Sequence, residues 1–390
     1  MNIWKLGCRW GTGAPNFYSF IKEKQIVIGV WQNEYKTGDL VLLTDGFSGI
    51  AIAKLIGSAQ PVTDHPELEE DFNRLEIPYD EGLFTAPVIC YELARENRLW
   101  YKAQVGICQI NQDHIWDNVL QLYTEFEKMQ VINDSEALLK AKGQIVLQGP
   151  PGTGKTRLAK LIAKQLTTDE ADYKLIQFHP AYAYEDFVRG IVAETTGGSI
   201  SYVAENKVLG DFAQQAQANP SKKYVLIIDE INRANLPSVL GELIYALEYR
   251  GEDVESVYGL GAEKNRTLQL PKNLFIIGTM NTADRSVGHM DYAIRRRFAF
   301  VSVLPDESVV PEGPARKLFA SVHELFSNHL SPEFQAKDVQ PGHSYFLANE
   351  TEGLSLKQKL DYELKPLLQE YLKDGILMTS AQVGIDNLSA

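Results

Sequence analysis

Eight consecutive residues, Gly149, Pro150, Pro151, Gly152, Thr153, Gly154, Lys155 and Thr156, follow the pattern GxxxxGK[ST]. Glycines in this pattern let the backbone wrap tightly, so that consecutive N–H groups point at a phosphate. Lys155 then brings a cation to the β- and γ-phosphate oxygens, and the Thr156 hydroxyl is a ligand for Mg²⁺. Further along, Tyr224-Val-Leu-Ile-Ile-Asp229-Glu230 is an apolar run ending in two acids. There Asp229 would hold Mg²⁺ and Glu230 would polarise an attacking water, so hydrolysis and not binding alone is expected. A third apolar run, NLFIIGT, leads into Met280-Asn281-Thr282-Ala283-Asp284-Arg285-Ser286, where Asn281 could orient that water. Arg295, Arg296 and Arg297 follow on a short helix. Three adjacent arginines cannot all face one site, so at least one should point outward, toward a neighbour's γ-phosphate.

These groups need elements to hold them. From residue 143 the chain alternates strand, loop and helix: GQIVLQ, YKLIQFH, KKYVLIIDE and NLFIIGTMN read as strands and TRLAKLIAKQL as a helix. Continuous apolar strands flanked by helices predict an α/β fold with a parallel sheet covered on both faces. From about Leu304 onward the pattern is mainly helical. All five tryptophans (Trp4, Trp10, Trp31, Trp100 and Trp116) fall in the first 116 residues, a shift that suggests a separate unit. Its segments QIVIGVW, GDLVLLTDG and GIAIAKLIGSAQPV read as short strands, with a tight hairpin at Asp45-Gly46. The expected organisation is a β-rich barrel or half-barrel over 1–112, a helical connector over 113–135, a nucleotide-binding domain over 136–304 and a helical subdomain over 305–390.

The 390 residues are 44% hydrophobic and 23% charged, which fits an ordinary globular chain and excludes a collagen-like or disordered one. Three cysteines make no disulfide framework, and the seven histidines show no metal-ligand spacing. The absence of a transmembrane run or signal-peptide core predicts a cytoplasmic protein with no membrane partner. A net charge of −13 weakens a nucleic-acid role without excluding it. The segment Asp64–Glu81 carries eight acids against the single base Arg74, and such a loop can sit away from a binding face.

Taken together, the motifs resemble the AAA+ superfamily and, more narrowly, the McrB family of modification-dependent (type IV) restriction systems. The MNTADRS heptapeptide looks like that family's signature. DEINRAN (229–235), FHPAYAYEDFVRG (178–190), AIRRRF (293–298) and GHSYF (342–346) match as well. The resemblance implies an AAA+ module with a small helical lid. It also implies GTP rather than ATP, a ring that is usually a hexamer, and a separate McrC-like nuclease subunit. Asn281 would help place the water, Asp284 and Arg285 would support its loop, and Arg296 and Arg297 would act on a neighbouring subunit's nucleotide. Two departures stand out: no clear sensor-II arginine in the helical region, and no NKxD motif to read guanine.

In the N-terminal segment, the start Trp4-Lys-Leu-Gly-Cys-Arg-Trp10 and the strand series GDLVLLTDGFSGIAIAKLIG look like the EVE/PUA-like family, related folds of which flip a modified base into an aromatic pocket. That implies modified double-stranded DNA as a partner. Trp10, Phe17, Trp31 and Tyr35 would offer stacking surfaces worth about 1–3 kcal/mol each, and Arg9 and Lys5 would meet phosphates. Core filling by each aromatic is the competing reading. Two other functions stay open: an ATP-driven remodelling chaperone of the MoxR or dynein-related type, and a sensor of modified RNA or a small ligand with a regulatory ATPase. The ExK element at Glu363 and Lys365 lies in an amphipathic helix rather than on adjoining strands, so nuclease chemistry is not expected of this chain.

Overall fold

The computed structural model describes residues 2–9, 13–30, 35–79, 81–102, 106–196, 199–284, 290–348 and 353–390. They divide into two compact units, Met1–Met129 and Gln130–Ala390. The boundary falls within one helix, Asp113–Lys142, longer than the connector expected from sequence.

In the first unit, β1 (Ile3–Gly7), β2 (Ile26–Gly29), β3 (Leu40–Asp45), β4 (Ser48–Leu55), β5 (Gln60–Pro61), β6 (Phe84–Glu92) and β7 (Ile107–Gln109) form one mixed sheet. Its order is β2-β6-β4-β3-β1-β7, with β5 added beside β6. The β1–β3 pair is parallel, and β3 and β4 meet at a hairpin with Asp45 opposite Ser48, the turn lying at Gly46 as expected. Alternation along β3 divides its side chains between two cores. Val41 and Leu43 join Phe20, Ile21 and Phe72, while Leu40 and Leu42 join Ile115, Val119 and Tyr123 of the long helix.

The second unit contains β8 (Gln144–Gly149), β9 (Tyr173–Gln177), β10 (Arg189–Thr196), β11 (Ser199–Asn206), β12 (Tyr224–Asp229), β13 (Asp253–Leu260), β14 (Asn265–Gln269), β15 (Leu274–Asn281) and β16 (Ala299–Ser302). Five of these build an all-parallel sheet in the order β16-β8-β15-β12-β9. Its central strands are buried along nearly their whole length, whereas β9 at the edge carries exposed polar residues. Helix Lys155–Leu166 places Ala159, Ile162, Ala163 and Leu166 at three- and four-residue spacing against Ile145, Leu147, Val225, Ile227 and Ile277. A separate helical core around Phe319, Val322, Phe326, Leu364 and Leu368 closes the C-terminal part.

Two hairpins, β10–β11 and β13–β14, leave this sheet, and the sequence pattern does not announce them. They are clamped by Arg189, which is 3% exposed and donates to the carbonyl oxygens of Tyr258, Arg266 and Thr267 and to Asn206 Oδ1.

Candidate nucleotide-hydrolysing site

In a parallel sheet with helices on both faces, ligands bind beyond the carboxyl ends of the strands. Three of the predicted groups lie at such ends. Gly149 closes β8, Asp229 closes β12 and Asn281 closes β15. Register brings them together: Asn281 pairs with Gly149, and Gly278 with Ile228. The loop after β8 turns at Gly152 and Gly154, both at positive φ (78° and 82°), where a side chain would be strained. It then enters helix Lys155–Leu166 amino end first, the orientation that favours an anion.

Lys155 is buried, and its Nζ donates to the carbonyl oxygens of Gly149 (3.0 Å) and Pro150 (2.7 Å). Burial pushes its pKa down to about 8, with Glu230 and Asp229 pulling back upward.

The carboxylate of Asp229 is the hub of the site. Its Oδ1 accepts from the Thr156 hydroxyl at 2.7 Å and from the Thr279 hydroxyl at 2.6 Å. Thr156 and Asp229 thus present two hard oxygens side by side, a donor set that fits Mg²⁺ completed by phosphate and water. Those two residues would hold the metal, which when bound would neutralise charge on the phosphate oxygens.

Glu230 follows in the left-handed region, at φ 52° and ψ 47°. That conformation costs a non-glycine residue about 1–2 kcal/mol and is concentrated at functional sites. Its backbone N–H donates to Thr279 Oγ1 at 3.1 Å, which fixes the turn. Among the described residues Glu230 Oε2 is buried without a hydrogen bond, with Arg233 Nε 3.5 Å away. An acceptor left unsatisfied by the protein is one that a water can use. Arg233 also reaches Asp284 Oδ2 at 3.4 Å, joining the Glu230 turn to the loop after β15. In that loop Asn281 Oδ1 accepts from the N–H of Ala283 at 3.1 Å. In sequence Thr279 is one more residue of an apolar strand and Arg233 one of several in DEINRAN, so neither carries a local signal of its role.

The arginine cluster divides by exposure. Arg295 lies over the Phe300 ring. Arg297 has a side chain 10% exposed, held by Glu248 at 3.0 Å and by the Ala293 carbonyl. Arg296 is 65% exposed and paired with Glu248 at 3.2 Å, and Arg295 is exposed as well, so these two lie at the surface while Arg297 does not.

The aromatic residues assigned to base stacking fare differently. Phe17 is 1% exposed and Tyr35 is 7% exposed, packed edge-on against Trp4. Both belong to the first unit's apolar core, so neither ring offers a face to a base, and the stacking expectation is corrected at these two positions. Lys5 is buried on β1 and cannot lie against a phosphate backbone from there. Arg9 is on the surface and bound to Asp45 at 2.7 Å, which holds the Asp45 carboxyl below its usual range. Trp10, Trp31 and Arg285 lie outside the described residues. Among those residues, no helix is long and apolar enough to cross a membrane.

The comparisons with known proteins agree with this geometry. Residues 144–298 match the AAA domain of the dynein-related subfamily. The EcoKMcrB subunit of the type IV methyl-directed restriction enzyme of Escherichia coli is 36% identical over 257 residues, 60% of this chain and 55% of that protein. A component of the type II restriction enzyme BsuMI of Bacillus subtilis is 28% identical over 189 residues, 40% of this chain and 55% of that protein. The chain thus spans about half the length of these curated relatives. A solved structure of a putative ATPase from Cytophaga hutchinsonii is similar over 70% of this chain and 76% of its own, at 16% identity and a TM-score of 0.30. The phosphate loop, the paired Asp229-Glu230 and the strand ending at Asn281 thus fall within the residues that match an AAA domain, and the chain is similar in sequence to McrB-like restriction components.

Proposed function

We propose that this chain is the GTP-hydrolysing motor and recognition subunit of a McrBC-like, modification-dependent restriction system, acting with a separate nuclease subunit. The observation that carries the hydrolytic part is the convergence of Thr156 and Thr279 on Asp229, with Glu230 beside it in a strained turn. On this reading Lys155 and the loop N–H groups bind the triphosphate. Glu230 takes up the proton of a water oriented by Asn281, while Thr279 holds both acids in place. Arg296 reaches the γ-phosphate of a neighbouring subunit in a six-membered ring, and Glu248 restrains it beside Arg297. A finger supplied in trans is worth about 10³–10⁵ in rate, so an isolated subunit should turn over slowly.

Partner and substrate follow from the relatives, two of which are restriction components. Modified double-stranded DNA read by the first unit is the substrate this implies, and the cytoplasm its location. The dynein-related match also supports a second reading, an ATP-driven remodelling enzyme.

Competitive binding of GTP and ATP to the purified protein, with Lys155→Ala as control, separates the two. A GTP preference lost in the control supports the restriction motor. An ATP preference moves the function to remodelling.

A further inference from the structure

The GHSYF segment, residues 342–346, resembles the McrB family and has no role in the proposed hydrolysis. It forms a short 3-10 turn, His343–Phe346, in the C-terminal helical part, with Phe346 buried against Phe319. Its backbone is fastened to the outside of the phosphate loop. The Gly342 N–H donates to the Pro151 carbonyl at 2.8 Å, and the Ser344 N–H to the Gly152 carbonyl at 3.0 Å. The approach is so close that a Cβ on Gly342 would stand 2.2 Å from the Gly152 carbonyl carbon and 2.4 Å from the Thr153 nitrogen. From the other side, Lys359 Nζ donates to the Ser344 carbonyl at 3.0 Å.

This fastening aims one side chain. The backbone N–H of Asp306 donates to His343 Nδ1 at 3.3 Å, so in the neutral ring the proton is on Nε2. Nε2 lies 3.7 Å from the point a Cβ would occupy on Gly154, at the amino end of helix Lys155–Leu166. That is the edge of the loop whose N–H groups face the α- and β-phosphates.

We propose that His343 is a nucleotide-binding residue supplied by the helical subdomain, donating Nε2–H to the α/β-phosphate side of the bound nucleotide. The subdomain thereby senses an occupied phosphate loop without a sensor-II arginine. The proposal rests on the phosphate loop being the nucleotide site.

The test is displacement of a fluorescent GTP analogue by GTP and by GDP from the full-length protein, comparing wild type with His343→Ala, His343→Gln and Lys155→Ala. A hydrogen bond to a charged group predicts about 10- to 100-fold weaker binding of both nucleotides to His343→Ala. Gln, which keeps a donor, should recover most of that loss, with the melting temperature of the nucleotide-free protein unchanged across both variants. Wild-type affinities in His343→Ala alongside lost binding in Lys155→Ala would overturn the role of His343 and leave the site standing. Equal losses in the Ala and Gln variants with a lowered melting temperature would show a purely structural role and overturn it as well. Binding retained in Lys155→Ala would instead remove the site on which the proposal rests.

Discussion

Raising the pH from 7 to 9 should weaken nucleotide binding by about 10-fold, through one side chain. Before nucleotide arrives, the Lys155 ammonium is buried against two loop carbonyls and its pKa is lowered from 10.5 to about 8. A bound triphosphate favours the charged form and carries the pKa back up. Above pH 8 the lysine must therefore gain a proton as nucleotide binds, and affinity falls by the factor 1 + 10^(pH − 8). That factor is about 2 at pH 8 and about 11 at pH 9. The sign for folding is the reverse. Between pH 8 and 10.5 the unfolded chain binds more protons at this lysine than the folded one, so this group's contribution makes the nucleotide-free protein more stable as pH rises. Calorimetric titration at pH 7, 8 and 9, in two buffers of different ionisation enthalpy, measures both the affinity and the proton uptake. Lys155→Met is the control, and its residual binding should lose the proton uptake. A flat affinity from pH 7 to 9, or the same fall in Lys155→Met, would refute the argument.

Two further variants probe the support around the site. Thr279→Val removes the hydroxyl that donates to Asp229 and accepts from the Glu230 N–H, and steady-state turnover should fall about 10- to 100-fold with nucleotide affinity little changed. Arg250 donates to Gln144 Oε1 at 2.6 Å and to the Leu274 carbonyl at 2.7 Å, so Arg250→Ala strands buried acceptors beneath β8 and β15 and should cost about 3 kcal/mol in denaturant unfolding.

What could be read from sequence was local. Gly149–Thr156, the apolar run ending at Asp229-Glu230 and the strand entering Asn281 each carry their signal within a few residues, and each lies where that signal puts it. The contacts that complete the site join distant segments. Thr279 meets Asp229 across neighbouring strands, and Gly342 meets Gly152 across nearly two hundred residues of chain, so no window of sequence contains either pair. Phe17 and Tyr35 show the converse. An aromatic type suits both a base platform and a core, and only burial decides between them. The hairpin β10–β11 went unread because its outward residues Ile191, Ile200 and Tyr202 mix apolar and polar neighbours on both faces, without the one-sided alternation that marks a half-buried strand.

The most direct test of the account is to measure nucleotide binding and single-turnover hydrolysis of GTP and ATP by Glu230→Gln beside wild type, at equal protein concentration. The account predicts binding within a few-fold of wild type and hydrolysis lowered by about 10²–10⁴, the usual share of a general base. Undiminished hydrolysis in Glu230→Gln would contradict it.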